Sequence, residues 1–138
     1  MKFSFKKIVI WLLLIVAVAV VLVQPGTQRG KYIFQVETVS NTCTFDEYKQ
    51  ESVESTRDSI VIIEPIQTAT PCYDIEGSVN FFGSDIAVNL QAKKKGDTCA
   101  ECIGIVVAKV TISNLDKGTY DLQISAPDRS ILKTVRVE

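Results

Sequence analysis

The sequence contains no histidine. That removes the commonest general base of enzymes and the commonest ligand of transition metals. A Gly-x-Ser-x-Gly elbow for a serine nucleophile is missing, and so is a Gly-rich phosphate loop. There is no excess of basic charge: 15 Lys and Arg face 16 Asp and Glu, for a net charge of −1. A nucleic-acid partner needs a basic face, so none is expected. The acidic residues Asp46, Glu47, Glu51, Glu54 and Asp58 lack the regular ligand spacing of a calcium loop. Asn41-Thr42-Cys43 is not an ordinary glycosylation sequon. No internal repeat and no low-complexity tract is visible. No catalytic residue, cofactor site or metal site is therefore expected.

The charge is unevenly placed. Lys2, Lys6 and Lys7 come first, and then Ile8 to Val23 is uncharged and apolar. Every acidic residue follows Gln24. The remaining 12 basic residues against 16 acidic ones leave that part with a net charge of −4. In lipid an apolar backbone must satisfy its own hydrogen bonds, so the run is expected to be a helix. Its sixteen residues rise about 24 Å, a little under the ~30 Å hydrocarbon core. The lysines can snorkel, and Gln24-Pro25-Gly26 ends the run. Basic flanks stay inside, which sends the remainder of the chain outside. Ala17-Val18-Ala19 has the form of a signal-peptidase site, but Val20 to Val23 continue the apolar run past it. The reading is a retained single-pass anchor, with a cleaved signal as the alternative. No cysteine lies near the run, which excludes a lipid-modified cysteine. Residues 1–7 form a basic cytoplasmic N-terminus, 8–24 a transmembrane signal-anchor helix and 25–31 a linker. Residues 32–138 form one extracytoplasmic domain of common size. The membrane is thus the expected partner of Ile8 to Val23, and the cell membrane the expected location.

Beyond the linker the hydrophobic period becomes two. Tyr32, Phe34 and Val36 alternate with Ile33, Gln35 and Glu37. Ser59 to Ile66 is a β-branched run closed by Pro65. Tyr73, Ile75, Val79 and Phe81 share a face, as do Ile86, Val88, Leu90 and Ala92. Ala108, Val110 and Ile112 follow, then Tyr120, Leu122 and Ile124, and last Ile131 to Val137. About seven short strands divided by turn residues predict an all-β fold, an antiparallel β-sandwich. Phe82-Gly83-Ser84-Asp85 reads as a tight hairpin turn. Lys93-Lys94-Lys95-Gly96-Asp97 reads as a solvated loop. Thr44-Phe45-Asp46-Glu47 has capping-box form, with a short helix or a loop to follow. Tyr120 stands where immunoglobulin-like sandwiches place a corner tyrosine.

Cys43, Cys72, Cys99 and Cys102 carry the most specific information. An even count in a small exported domain reads as a disulfide framework, at about 3–4 kcal/mol per bridge in loop-closure terms. Three pairings are possible. Two other readings compete. Cys99-Ala100-Glu101-Cys102 is a C-x-x-C and so a redox candidate, although redox pairs open a helix and this one precedes a β-branched run. Four cysteines can also hold zinc, but structural zinc sites come as two close pairs and Cys43 and Cys72 are far apart.

Cys72-Tyr73, Cys99-Ala100-Glu101-Cys102 and Gly118-Thr119-Tyr120-x-Leu122-x-Ile124 together resemble a group of small membrane-anchored proteins of archaea and some bacteria. These carry an exported immunoglobulin-like domain. The resemblance spans about Cys43 to Ile124. It implies the sandwich, the location, and the pairing Cys72–Cys99 with Cys43–Cys102. It implies no activity. The expected role is a non-enzymatic surface module that binds or scaffolds another envelope component. A thiol–disulfide protein using Cys99 and Cys102, or a metal-binding envelope protein using all four cysteines, is the alternative.

Overall fold

β-branched and aromatic residues at every second position suit a pleated, half-buried surface. They form strands here along almost the whole domain. A computed structural model describes residues 32–43 and 51–138. The Ile8 to Val23 run, its lysine flank, the linker and the Thr44 to Glu47 capping box lie outside the described residues. Among the described residues no helix is long and apolar enough to cross a membrane.

The strands are β1 (Ile33–Thr42), β2 (Ser52–Ser55), β3 (Ser59–Thr68), β4 (Tyr73–Phe82), β5 (Asp85–Lys94), β6 (Gly104–Ser113), β7 (Gly118–Ser125) and β8 (Ser130–Val137). They make two four-stranded sheets, in the orders β1-β6-β3-β2 and β4-β5-β7-β8. Among the described residues there are eight strands where about seven were expected. The addition, β2, is a four-residue edge strand paired with Ile60 to Ile63, and Val53 is its single apolar residue. A second correction concerns direction. β5 and β7 run parallel, with Asp85 opposite Asp121 and Asn89 opposite Ser125. After β5 the chain crosses to the other sheet as β6 and returns as β7, and two reversals restore its original direction. An immunoglobulin arrangement sets the first strand beside the second, whereas here β1 lies beside β6.

Two loop readings also change. Lys93 and Lys94 end β5 rather than open the loop. Pro65 does not close its run, because β3 continues to Thr68. A strand residue points its N and O the same way, and the Pro65 carbonyl accepts from Arg129 Nη2 at 3.1 Å. The missing N–H therefore removes no ladder bond to β6.

The core lies between the sheets. Ile60, Ile62 and Ile66 of β3 and Val106, Val110 and Ile112 of β6 meet Ile86, Val88 and Leu90 of β5. On β7 the expected alternation holds: Tyr120, Leu122 and Ile124 are buried, while Thr119, Asp121 and Gln123 are exposed. The Tyr120 hydroxyl donates to the Asp116 carbonyl at 2.8 Å, tying the strand to the turn that precedes it. The β4–β5 hairpin turns on Gly83 and Ser84, and Gly83 has a φ of 67°, which a side chain would strain.

The edge strands meet in two seams, β1 against β4 and β2 against β8. Both candidate sites lie along these seams.

Candidate functional site

The first site is the cysteine cluster at one end of the β1/β4 seam. Cys43 directly follows β1, Cys72 directly precedes β4, and Cys99 and Cys102 lie in the connection from β5 to β6. Local hydrogen bonds bring these pieces together. Asn41 Nδ2 donates to the carbonyls of Pro71 at 3.0 Å and Tyr73 at 2.9 Å. The Lys95 amide donates to the Cys72 carbonyl at 2.9 Å, and the Cys102 amide to the Ala100 carbonyl at 3.0 Å. Gly104 enters β6 directly against the Thr70–Pro71 backbone, where any Cβ would overlap the Thr70 carbonyl.

In this setting Cys43 is bonded to Cys102, with Cα atoms 5.7 Å apart. Cys72 is bonded to Cys99, with Cα atoms 5.9 Å apart. Both separations are ordinary for disulfides. The bridges fasten the β5–β6 connection to the end of β1 and to the start of β4. The two sulfurs of the C-x-x-C are thus bonded to different segments and not to each other. All four cysteines are in disulfides, so none is a thiolate that could attack a substrate or bind a metal.

The second site is charged and sits at the β2/β8 seam. Glu64 stands in the inward row Ile60, Ile62, Glu64, Ile66, and only 1% of its side chain is exposed. Arg129 reaches it from the turn between β7 and β8. That turn, Ala126-Pro127-Asp128-Arg129, has Pro in its second position, where a fixed φ suits a β-turn. Its ends exchange backbone hydrogen bonds, Ala126 N to Arg129 O at 2.8 Å and Arg129 N to Ala126 O at 3.3 Å. Arg129 Nε donates to Glu64 Oε1 at 2.8 Å, and Nη2 lies 2.7 Å from the same oxygen. Glu51 Oε1 pairs with Lys133 Nζ at 3.2 Å, and its Oε2 lies 3.9 Å from Arg129 Nη2. Asp128 Oδ2 accepts from the Gln67 amide at 3.4 Å.

Burial is the largest influence on Glu64 and raises its pKa above the ordinary 4.5, with Glu51 and Asp128 adding to the rise. The Arg129 hydrogen bond and charge pull in the opposite direction without overcoming it. Glu64 Oε2 is buried with no hydrogen-bond partner. A buried carboxylate with one unpaired oxygen is costly, which accounts for the direction of the shift.

Sequence reasoning missed this second site. The signal for Glu64 was present, as a charged residue at the parity where all its strand neighbours are apolar. Arg129 carried no such signal, because only the fold brings the β7–β8 turn to β3. Other residues singled out in the sequence have ordinary surroundings. Lys93 pairs with Glu76 at 2.8 Å and Lys95 with Asp74 at 3.1 Å, so these lysines at the end of β5 form a solvated, charge-paired face. Glu54 is exposed on β2, and the Asp58 carbonyl accepts from the Leu115 amide at 2.9 Å. Asp46 and Glu47 lie outside the described residues. Among the described residues no group of three or more Cys, Asp or Glu is placed to hold a metal ion. Comparison with family models, curated proteins and solved structures finds no match to the chain.

Proposed function

We propose that the chain is a non-enzymatic, membrane-anchored extracytoplasmic sandwich module that binds or scaffolds another component of the cell envelope. The observation that carries this reading is the outward bonding of the C-x-x-C, Cys99 to Cys72 and Cys102 to Cys43. Both sulfurs are spent on holding distant segments together, which is a structural use. Stable disulfides belong to oxidising compartments. That agrees with the export of everything after the Lys2, Lys6, Lys7 and Ile8 to Val23 signal. The Tyr120–Asp116 hydrogen bond supports kinship in architecture with immunoglobulin-like sandwiches, in a different strand order.

Thiol titration of the denatured protein, with and without reductant, tests the reading alongside metal analysis and peptide mapping. No titratable thiol before reduction, four after it and no stoichiometric metal are expected. A mapped Cys99–Cys102 bridge would turn the reading towards a thiol–disulfide enzyme. Bound zinc would turn it towards a metal carrier.

A further inference from the structure

The two ends of the sandwich differ, and one of them is where the chain enters. β1 begins at Ile33, and the Tyr32 ring before it stacks on Phe81 with centroids 4.1 Å apart. Phe81 is the next-to-last residue of β4, so the β4–β5 hairpin turn lies beside the point of entry. The disulfides occupy the opposite end, after β1 and before β4. At the entry end two large apolar side chains face solvent. Phe82, at the hairpin turn, is 70% exposed, and Ile33 is 50% exposed.

We propose that this end docks on the lipid surface, with Phe82 entering the interfacial region of the bilayer. The inference rests on the anchoring reading above and deepens it. The seven residues 25–31 span at most about 25 Å even when fully extended. An anchored domain would therefore keep its entry end within about 25 Å of the bilayer. A tethered phenylalanine finds an apolar phase within reach at little further entropic cost, because the tether supplies a high local concentration. On the same outer face Asp85 and Asp121 stand in the row of Phe82, and Arg136 is one step nearer the end. These charges leave no cationic excess, so the contact is apolar and raised salt leaves it in place.

The test uses the full-length chain in vesicles of phosphatidylethanolamine and phosphatidylglycerol. Trp11 is the single tryptophan of the sequence, so a Trp11→Phe background makes an added tryptophan the only reporter. Phe82→Trp is compared with Ile103→Trp, a residue 43% exposed beside the disulfides at the opposite end. With lipids brominated near the headgroup, the Phe82→Trp reporter should be blue-shifted and lose most of its emission, at low and high salt alike. The Ile103→Trp reporter should keep its emission. A carbonate wash of the same vesicles separates the two ways of failing. A retained chain whose Phe82→Trp emission is unquenched overturns the docking alone. A chain released by the wash overturns the anchoring and the docking together.

Discussion

The two seams of this sandwich close by different means. Along β1/β4 the stacking and hydrogen-bond contacts are between neutral groups. Tyr32 stacks on Phe81, Thr38 Oγ1 accepts from the Ile75 amide at 3.0 Å, and Asn41 bridges the Pro71 and Tyr73 carbonyls. Gly77 leaves room for Val36 between the strands, since a Cβ there would lie 2.9 Å from Val36 Cγ2. β4 is an edge strand, and its outward backbone groups at Ile75 and Tyr73, with that of Pro71 just before it, find side-chain partners on β1. That satisfies an edge without burying charge. Along β2/β8 the contacts are ionic, with Glu64, Glu51, Arg129 and Lys133 in one cluster. Neutral bonds to backbone carry a small desolvation cost, whereas a buried carboxylate carries a large one that its partner must offset. The β1/β4 seam should therefore be sensitive to shape, and the β2/β8 seam to charge and pH.

The largest expected effect breaks the ionic seam. Arg129→Ala leaves Glu64 buried without its partner and should cost about 3–5 kcal/mol. Urea unfolding of the disulfide-intact protein reads this directly. Replacing both residues, as Glu64→Leu with Arg129→Met, should recover most of the loss or exceed the parent, because apolar substitutes carry no desolvation cost. If the double variant is as weak as the single one, the seam is held by packing and the contrast between seams disappears.

A smaller effect probes the neutral seam. Gly77→Val pushes against Val36, Leu90 and the Asn89 carbonyl and should cost about 1–3 kcal/mol by overpacking. Ser78→Val, one residue on and facing outward, should stay within about 0.5 kcal/mol. Equal melting temperatures for the two variants would show that β1 and β4 are not in close contact.

The finest distinction is pH. Because the folded pKa of Glu64 lies above its ordinary 4.5, the folded state holds the proton more tightly than the unfolded one. The resulting stability is complete below 4.5 and declines as pH rises through the raised value. Glu64→Gln should lose that slope, seen as a flatter dependence of the urea midpoint on pH, while Thr38→Val should keep the parent's slope. Parallel profiles for parent and Glu64→Gln would remove the ionic seam as the source of the pH dependence.

Much of this architecture was legible from local pattern. Alternation and β-branched runs located seven of the eight strands among the described residues, and Phe82-Gly83-Ser84-Asp85 located a hairpin. β2 was invisible because Ser52-Val53-Glu54-Ser55 offers one apolar residue and therefore no alternation. Its place depends on pairing with Ile60 to Ile63, which is a property of β3. The neutral seam was illegible in the same way. Nothing in the sequence singled out Thr38 or gave Asn41 a partner, and only the approach of β4 does so. Glu64 was legible in principle, since the run Ile60, Ile62, Glu64, Ile66 breaks its own pattern, but the break says nothing of what answers it.

Among the described residues, local sequence was enough to decide where seven of the strands lie, which of their side chains face inward, and that the cysteines are even in number. Each of these follows from side chains and their immediate neighbours along the chain. Tertiary structure alone decided that β5 and β7 run parallel, that the C-x-x-C bonds outward to β1 and β4, and that Arg129 answers Glu64. These depend on which segments meet across tens of residues, and hydrophobic burial, which drives the meeting, is non-directional. A period-two pattern says which face a residue takes. It does not name the strand on the other side.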